Sequence, residues 1–197
     1  MKAIRIHEFG GAEQLRLEEV EKPQPAADEV LIRTRVAGIN YADTMLRAGT
    51  YLMKPPLPFT PGFEVAGEIE AIGVEVKDAQ IGQRVIATLQ GGGYAEYATA
   101  KSAQVIPLPD DLDFGKATAL LVQGLTALGL LKSLRAGQTV LIHAAAGGVG
   151  SLLVQLAKLK GARVIGTAST AEKLDIVKSL GADAGINYTR ADWTEQV

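Results

Sequence analysis

The chain contains no cysteine among its 197 residues, which excludes disulfides and thiolate zinc sites. Histidine is nearly absent too. The two present, His7 and His143, lie in or beside expected strands and lack H-E-x-x-H spacing, so no metal site is expected. Neither sign of charge dominates: 20 Lys and Arg stand against 22 Asp and Glu, for a net charge of -2. The basic residues are scattered, so there is no electrostatic footprint for nucleic acid and no such partner is expected. Long apolar runs are also missing. The most apolar region, 117–131, is interrupted by Gln123 and Gly124 and is too short to span a bilayer. Residues 1–6 alternate like a strand and carry no signal-peptide core, so a protein of the cytoplasm, free of membranes, is expected.

What is present in quantity is glycine, 22 residues of it, and the most telling group lies in His-Ala-Ala-Ala-Gly-Gly-Val-Gly at 143–150. An apolar strand, 139–142, precedes it. After it, Leu152, Leu153, Leu156 and Leu159 mark one face of a helix over 149–160. Strand, glycine turn and helix together form the setting of a dinucleotide fingerprint, with Ala145, Gly147 and Gly150 at the three spaced positions. The pyrophosphate would rest on the free N–H groups of the helix start. A mononucleotide P-loop is excluded, because Ser151-Leu152-Leu153 follows Gly150 where that motif needs Gly-Lys and then Ser or Thr.

The second strand of an NAD site usually ends in Asp or Glu for the ribose 2'-hydroxyl. Here 162–166 runs into Thr167-Ala168-Ser169-Thr170-Ala171-Glu172-Lys173, which offers hydroxyls and an ammonium instead. Such a set suits a 2'-phosphate, so NADP(H) is the expected coenzyme, with Glu172 the one residue that counts against it. Ser169 and Thr170 also read as the N-cap of a helix over 171–180, which is compatible with phosphate contact.

The first hundred residues read as β-rich, with strands at 2–7, 14–20, 29–36, 63–72, 84–89, 94–99 and 103–106 separated by turn signals. Helical character begins near Asp113, a candidate N-cap, and a second helix is expected over 123–134. From 139 the pattern becomes strand, helix, strand, helix, strand, ending at 184–188. Two domains follow, 1–112 and 113–197.

Four further blocks carry a resemblance: Gly-Ile-Asn-Tyr-Ala-Asp-Thr at 38–44, Arg-Ala-Gly-Thr-Tyr at 47–51, Pro-Gly-Phe-Glu-Val-Ala-Gly at 61–67 and Gly-Leu-Thr-Ala at 124–127. With 143–150 and Ile-Asn-Tyr at 186–188, they resemble the medium-chain dehydrogenase/reductase family in its quinone oxidoreductase branch, over the whole chain. The resemblance implies an α/β protein: a β-rich GroES-like catalytic domain followed by a Rossmann domain, a doubly wound parallel sheet. It further implies NADPH-dependent reduction of a quinone or related enone. Zinc-dependent members carry Cys in the segment matching 38–40 and His where Phe63 stands; neither is present, so polarisation without zinc is expected. By the same resemblance, Asn40, Asp43 and Tyr51 are the expected catalytic residues, with Asn40 and Tyr51 lining the nicotinamide and substrate end, and Thr126 approaches the coenzyme. Gly147, Gly148, Val149 and Gly150 form the pyrophosphate turn, while Ser169, Lys173 and Tyr188 receive the 2'-phosphate ribose. Several of these also admit plain structural roles: Asn40 and Asp43 as a helix cap, Tyr51 as a packing ring, Thr126 bonding its own helix. Relatives often carry a second tyrosine where this chain has Met45, a departure that counts against a tyrosine as proton donor; Tyr51 is the better tyrosine candidate, and solvent is the other proton source. Glu64 reads either as a site carboxylate or, preferably, as the partner of an arginine.

A full dinucleotide sheet has strand order 3-2-1-4-5-6, and only strands 1 to 3 are recognised here. The Rossmann domain is therefore expected to be incomplete, with its C-terminal half absent and the first strand left as an apolar edge. The 197-residue chain alone is expected to turn over weakly, and the full-length protein to be a homo-oligomer. Readings that stay open are an enoyl or enone reductase and a non-catalytic NADPH-binding protein, crystallin-like or sensing.

Overall fold

The β-branched residues and turn signals of the first hundred positions become two antiparallel sheets in the computed structural model, which describes residues 1–197. Strands β1 (Lys2–Arg5) and β2 (Arg16–Glu19) pair with each other. Five more, β3 (Glu29–Ala37), β4 (Glu64–Ile72), β5 (Arg84–Thr88), β6 (Tyr97–Lys101) and β7 (Val105–Pro107), form a sheet of order β6-β3-β4-β5-β7. Its core is Val30, Ile32, Val65, Ile69, Val85 and Ala87. Along β3, Arg33 and Arg35 stay exposed and share the Glu68 carboxylate at 2.7 and 3.0 Å. Between β3 and β4 the register slips twice, beside Leu31 and beside Thr34. Near the second slip Gly67 lets two backbones meet, since a Cβ there would collide with the Arg33 carbonyl. A short helix, α1 (Tyr41–Arg47), leaves β3 before the chain returns in β4.

Where two helices were expected around 113–134 there is one, α2 (Phe114–Leu130). Asp113 caps it as anticipated, accepting the Lys116 N–H at 3.1 Å. Gly124 does not end it, because one interior glycine costs only about 1 kcal/mol and no proline is nearby. The first half is anchored instead by Ala117 and Leu121 packed on Ala66 and Ile86. Arg84 fixes the approach to α2, donating to the carbonyls of Pro109, Asp110 and Leu112 with its guanidinium 4.5 Å from the Phe114 ring centre. Along α2 the chain passes from one compact unit, Met1–Val122, to another, Gln123–Val197.

The second unit is a parallel sheet: β8 (Thr139–Ile142), α3 (Gly148–Leu159), β9 (Arg163–Ala168), α4 (Ala171–Ser179) and β10 (Ala184–Asn187), with order β10-β9-β8. This is the 3-2-1 order expected for the start of a doubly wound sheet. Ile142, Ala145, Val154, Ala157, Val164 and Val177 form its core. Asp183 ties helix to sheet by accepting from Val164 N–H (2.7 Å) and from Lys158 (2.9 Å). No helix of the chain is long and apolar enough to cross a membrane.

Candidate functional site

In the second unit, the C-terminal ends of β8 and β9 open onto a concavity of about 140 Å³ lined by Ala144, Ala146, Gly147, Ala168, Ser169, Lys173 and Tyr188. Four of the residues singled out from sequence, Gly147, Ser169, Lys173 and Tyr188, therefore share one wall. Gly147 is the N-cap of α3 and is itself exposed. Ser151 is the first helical residue whose N–H finds a helix carbonyl, that of Gly147 at 2.8 Å, so the amides of Gly148, Val149 and Gly150 remain as donors at the positive end of the helix. A Cβ on Gly147 would meet only the Ala144 oxygen, at 3.2 Å, which leaves its outer side open to a ligand. Gly150 differs: it is buried, and a Cβ there would strike the Ala144 carbonyl and lie 2.7 Å from Ala145 Cα. It is the close-packing glycine of the fingerprint. The turn position is shifted by one from the sequence reading, for Ala144, not Ala145, carries the left-handed backbone (φ 49°), while Ala145 is fully buried.

Thr170 caps α4, its side chain accepting the Lys173 N–H at 3.3 Å. The Glu172 carboxylate is turned to the helix start, where its own N–H and the Thr170 side chain hold it below the usual glutamate range. Glu172 does not line the concavity, so the residue that weighed against a phosphate is directed elsewhere. His143 is exposed, its Nδ1 3.2 Å from Thr167 Oγ1 and its ring edge-on to Trp193. Thr126 lies on the exposed side of α2 and is not part of this wall.

The first unit gathers a different group. Asn40, the residue that begins α1, is buried, as is Asp43 one turn on. Asp43 accepts the Asn40 N–H at 2.8 Å and the Gly62 N–H at 3.2 Å, and the Tyr94 hydroxyl lies beside it. Burial pushes the Asp43 carboxyl up against those hydrogen bonds. The Tyr94 phenol is pushed up as well, by burial and then by the Asp43 charge. Tyr51 stacks at 6.2 Å on Phe63 in a tilted pair.

Glu64 overturns the sequence preference: no arginine reaches it. It is completely buried, and its oxygens accept from Asn40 Nδ2 (2.9 Å) and from the Val122 N–H (3.0 Å). Burial pushes its carboxyl up and the Asp43 charge adds to this, while both hydrogen bonds oppose it. These partners are 24 and 58 residues away in sequence, so no local pattern announced them. No three His, Cys, Asp or Glu side chains cluster as metal ligands.

Residues 26–110 match the alcohol dehydrogenase GroES-like domain, and residues 148–197 match the zinc-binding dehydrogenase domain. Quinone oxidoreductase of Sus scrofa is 43% identical over 203 residues, covering 100% of this chain and 61% of the relative. Among solved structures, the quinone oxidoreductase of Pseudomonas syringae pv. Tomato superposes with a TM-score of 0.95 at 39% identity, over 100% of this chain and 61% of that one. That of Escherichia coli, solved in complex with NADPH, gives a TM-score of 0.95 at 35% identity with the same coverage. The chain thus spans about three fifths of the length of these relatives. Strand order, glycine turn and matched domains converge, and the chain belongs to the medium-chain dehydrogenase/reductase family, in the quinone oxidoreductase branch.

Proposed function

We propose that this chain binds NADPH and serves the reduction of a quinone or related conjugated carbonyl without zinc. The observation that carries the reading is the shared wall of Gly147, Ser169, Lys173 and Tyr188 at the end of a parallel sheet, where Gly147 is also the N-cap of α3. The amides of Gly148, Val149 and Gly150 take the pyrophosphate, and Gly147 leaves room for its approach. The Lys173 ammonium and the hydroxyls of Ser169 and Tyr188 take the 2'-phosphate, where charge-assisted hydrogen bonds are strongest. The relatives' complexes with NADPH support this choice of coenzyme.

Residues 1–112 serve as the catalytic domain and 113–197 as connecting helix and coenzyme-binding domain. Asn40 and Tyr51 face the nicotinamide and substrate end, Asp43 secures the turn that presents Asn40, and Thr126 approaches the coenzyme. NADPH supplies the hydride when bound; the side chains orient the acceptor, exclude water and polarise its carbonyl by hydrogen bonds, and the proton comes from solvent. The zinc-free reading rests on the donor set: the chain has no cysteine, and Phe63 stands where zinc-dependent members carry histidine.

The test is NADPH oxidation by the complete enzyme, followed by absorbance with a small quinone and, separately, an enone. Faster turnover with the quinone, unaffected by a zinc chelator, is expected. No oxidation with either acceptor would overturn the catalytic reading and leave NADPH binding alone.

A further inference from the structure

We propose that Glu64 is a positioning residue whose carboxylate fixes the orientation of the Asn40 side-chain amide. The kinetic part of this inference rests on the placement of Asn40 at the nicotinamide and substrate end; the structural part does not.

An asparagine amide can sit either way round, and its partners decide which way. An ionised carboxylate only accepts, so whatever faces it must donate. Glu64 faces two donors. One is the Val122 N–H, a backbone group of α2 that cannot turn round; the other is Asn40 Nδ2, which can. With Oε2 on Val122, Oε1 meets the amide as its NH2 end, and the Asn40 oxygen is directed away from Glu64.

The surroundings are built for this contact. Glu64 lies in β4 with no exposed surface and no cation, an expensive place for a carboxylate if packing were its only task. Gly38 makes the space: a Cβ at that position would collide with the Glu64 carboxylate. Asp43 lies on the other side of Asn40: its carboxylate accepts the Asn40 N–H at 2.8 Å, and its own N–H faces the Asn40 side chain as the second half of a capping box, so the amide end that meets Glu64 is the NH2. A glutamine would fill the same volume but carries one acceptor and one donor. With the Val122 N–H on the glutamine oxygen, the glutamine NH2 would face the Asn40 NH2, and the contact is regained only if the Asn40 amide turns over and gives up the Asp43 N–H.

The chain holds only two asparagines, Asn40 and Asn187, so protein labelled with ¹⁵N-asparagine shows two side-chain NH2 groups, the second an internal control. In Glu64→Gln the Asn40 pair shifts and its exchange with solvent changes, while the Asn187 pair stays in place. An unchanged Asn40 pair in a folded Glu64→Gln protein would overturn the proposal. Should that variant fail to fold, wild-type protein decides. An Asn40 NH2 proton protected from exchange and in dipolar contact with ¹³C-labelled Glu64 Cδ supports the proposal, and exchange as fast as that of Asn187 without that contact overturns it.

In the NADPH–quinone assay, Asn40→Ala and Glu64→Gln each lower kcat, and the double variant is no slower than Asn40→Ala alone. Losses that multiply would show that Glu64 acts independently of Asn40. An Asn40→Ala enzyme of undiminished rate would overturn the placement of Asn40 at the reacting end, whereas the amide spectra test the Glu64 contact itself.

Discussion

Lys173 and Gly150 show how differently two residues of one site were legible. Lys173 follows a β-strand that ends without a carboxylate, and that local pattern is enough to suggest a phosphate partner; in the structure it lines the same wall as Gly147 and Tyr188. Replacing it with alanine is expected to raise the NADPH dissociation constant about tenfold while leaving NADH nearly unchanged, as read by fluorescence titration. Equal losses for both coenzymes would remove Lys173 from the 2'-phosphate. Gly150 was identified by spacing, but its reason is packing against Ala144 and Ala145. Gly150→Ala is expected to cost about 1–3 kcal/mol in denaturant unfolding, because helix and turn backbone must separate. Glu64 was misread. Its sequence neighbours carry no trace of Asn40 or Val122, and a lone acid in a strand ordinarily suggests a cation.

At the level of elements, strands were recovered to within a few residues because alternation and glycine or proline turns are local signals. The helices exposed the limits of those signals. A separate helix was expected from 123, yet burial of Ala117 and Leu121 anchors α2 and the helix runs on through Gly124 to Leu130. Thr170 was read as a cap and is one. The link between α3 and β9 could not be read, since Asp183 meets Val164 and Lys158 only once the sheet has formed. Its carboxyl lies below the ordinary aspartate range because of the Val164 N–H and then Lys158. A depressed acid stabilises the fold above its unfolded pKa, and that contribution is lost as pH falls through the folded value. Asp183→Asn is therefore expected to melt below wild type at pH 7, with the two melting curves converging as pH drops below the ordinary aspartate value of 3.8. A constant gap across that range would contradict the assignment.

For the molecule as a whole, two compact units carry two groups of residues: acids around Asn40 in one, a glycine helix start and a hollow of about 140 Å³ in the other. The architecture of each was legible because binary patterning follows the period of each element. Partners brought together by the sheets from distant positions were not. Family membership suggests the chemistry to test, and the second unit supplies the reason to propose NADPH. The central claim is that the end of β9 selects the phosphorylated coenzyme, and calorimetric titration of this chain with NADPH and NADH at equal ionic strength tests it most directly. NADPH is predicted to bind at least about tenfold more tightly, with the difference lost in Lys173→Ala; equal or tighter binding of NADH by the wild-type chain would contradict the account.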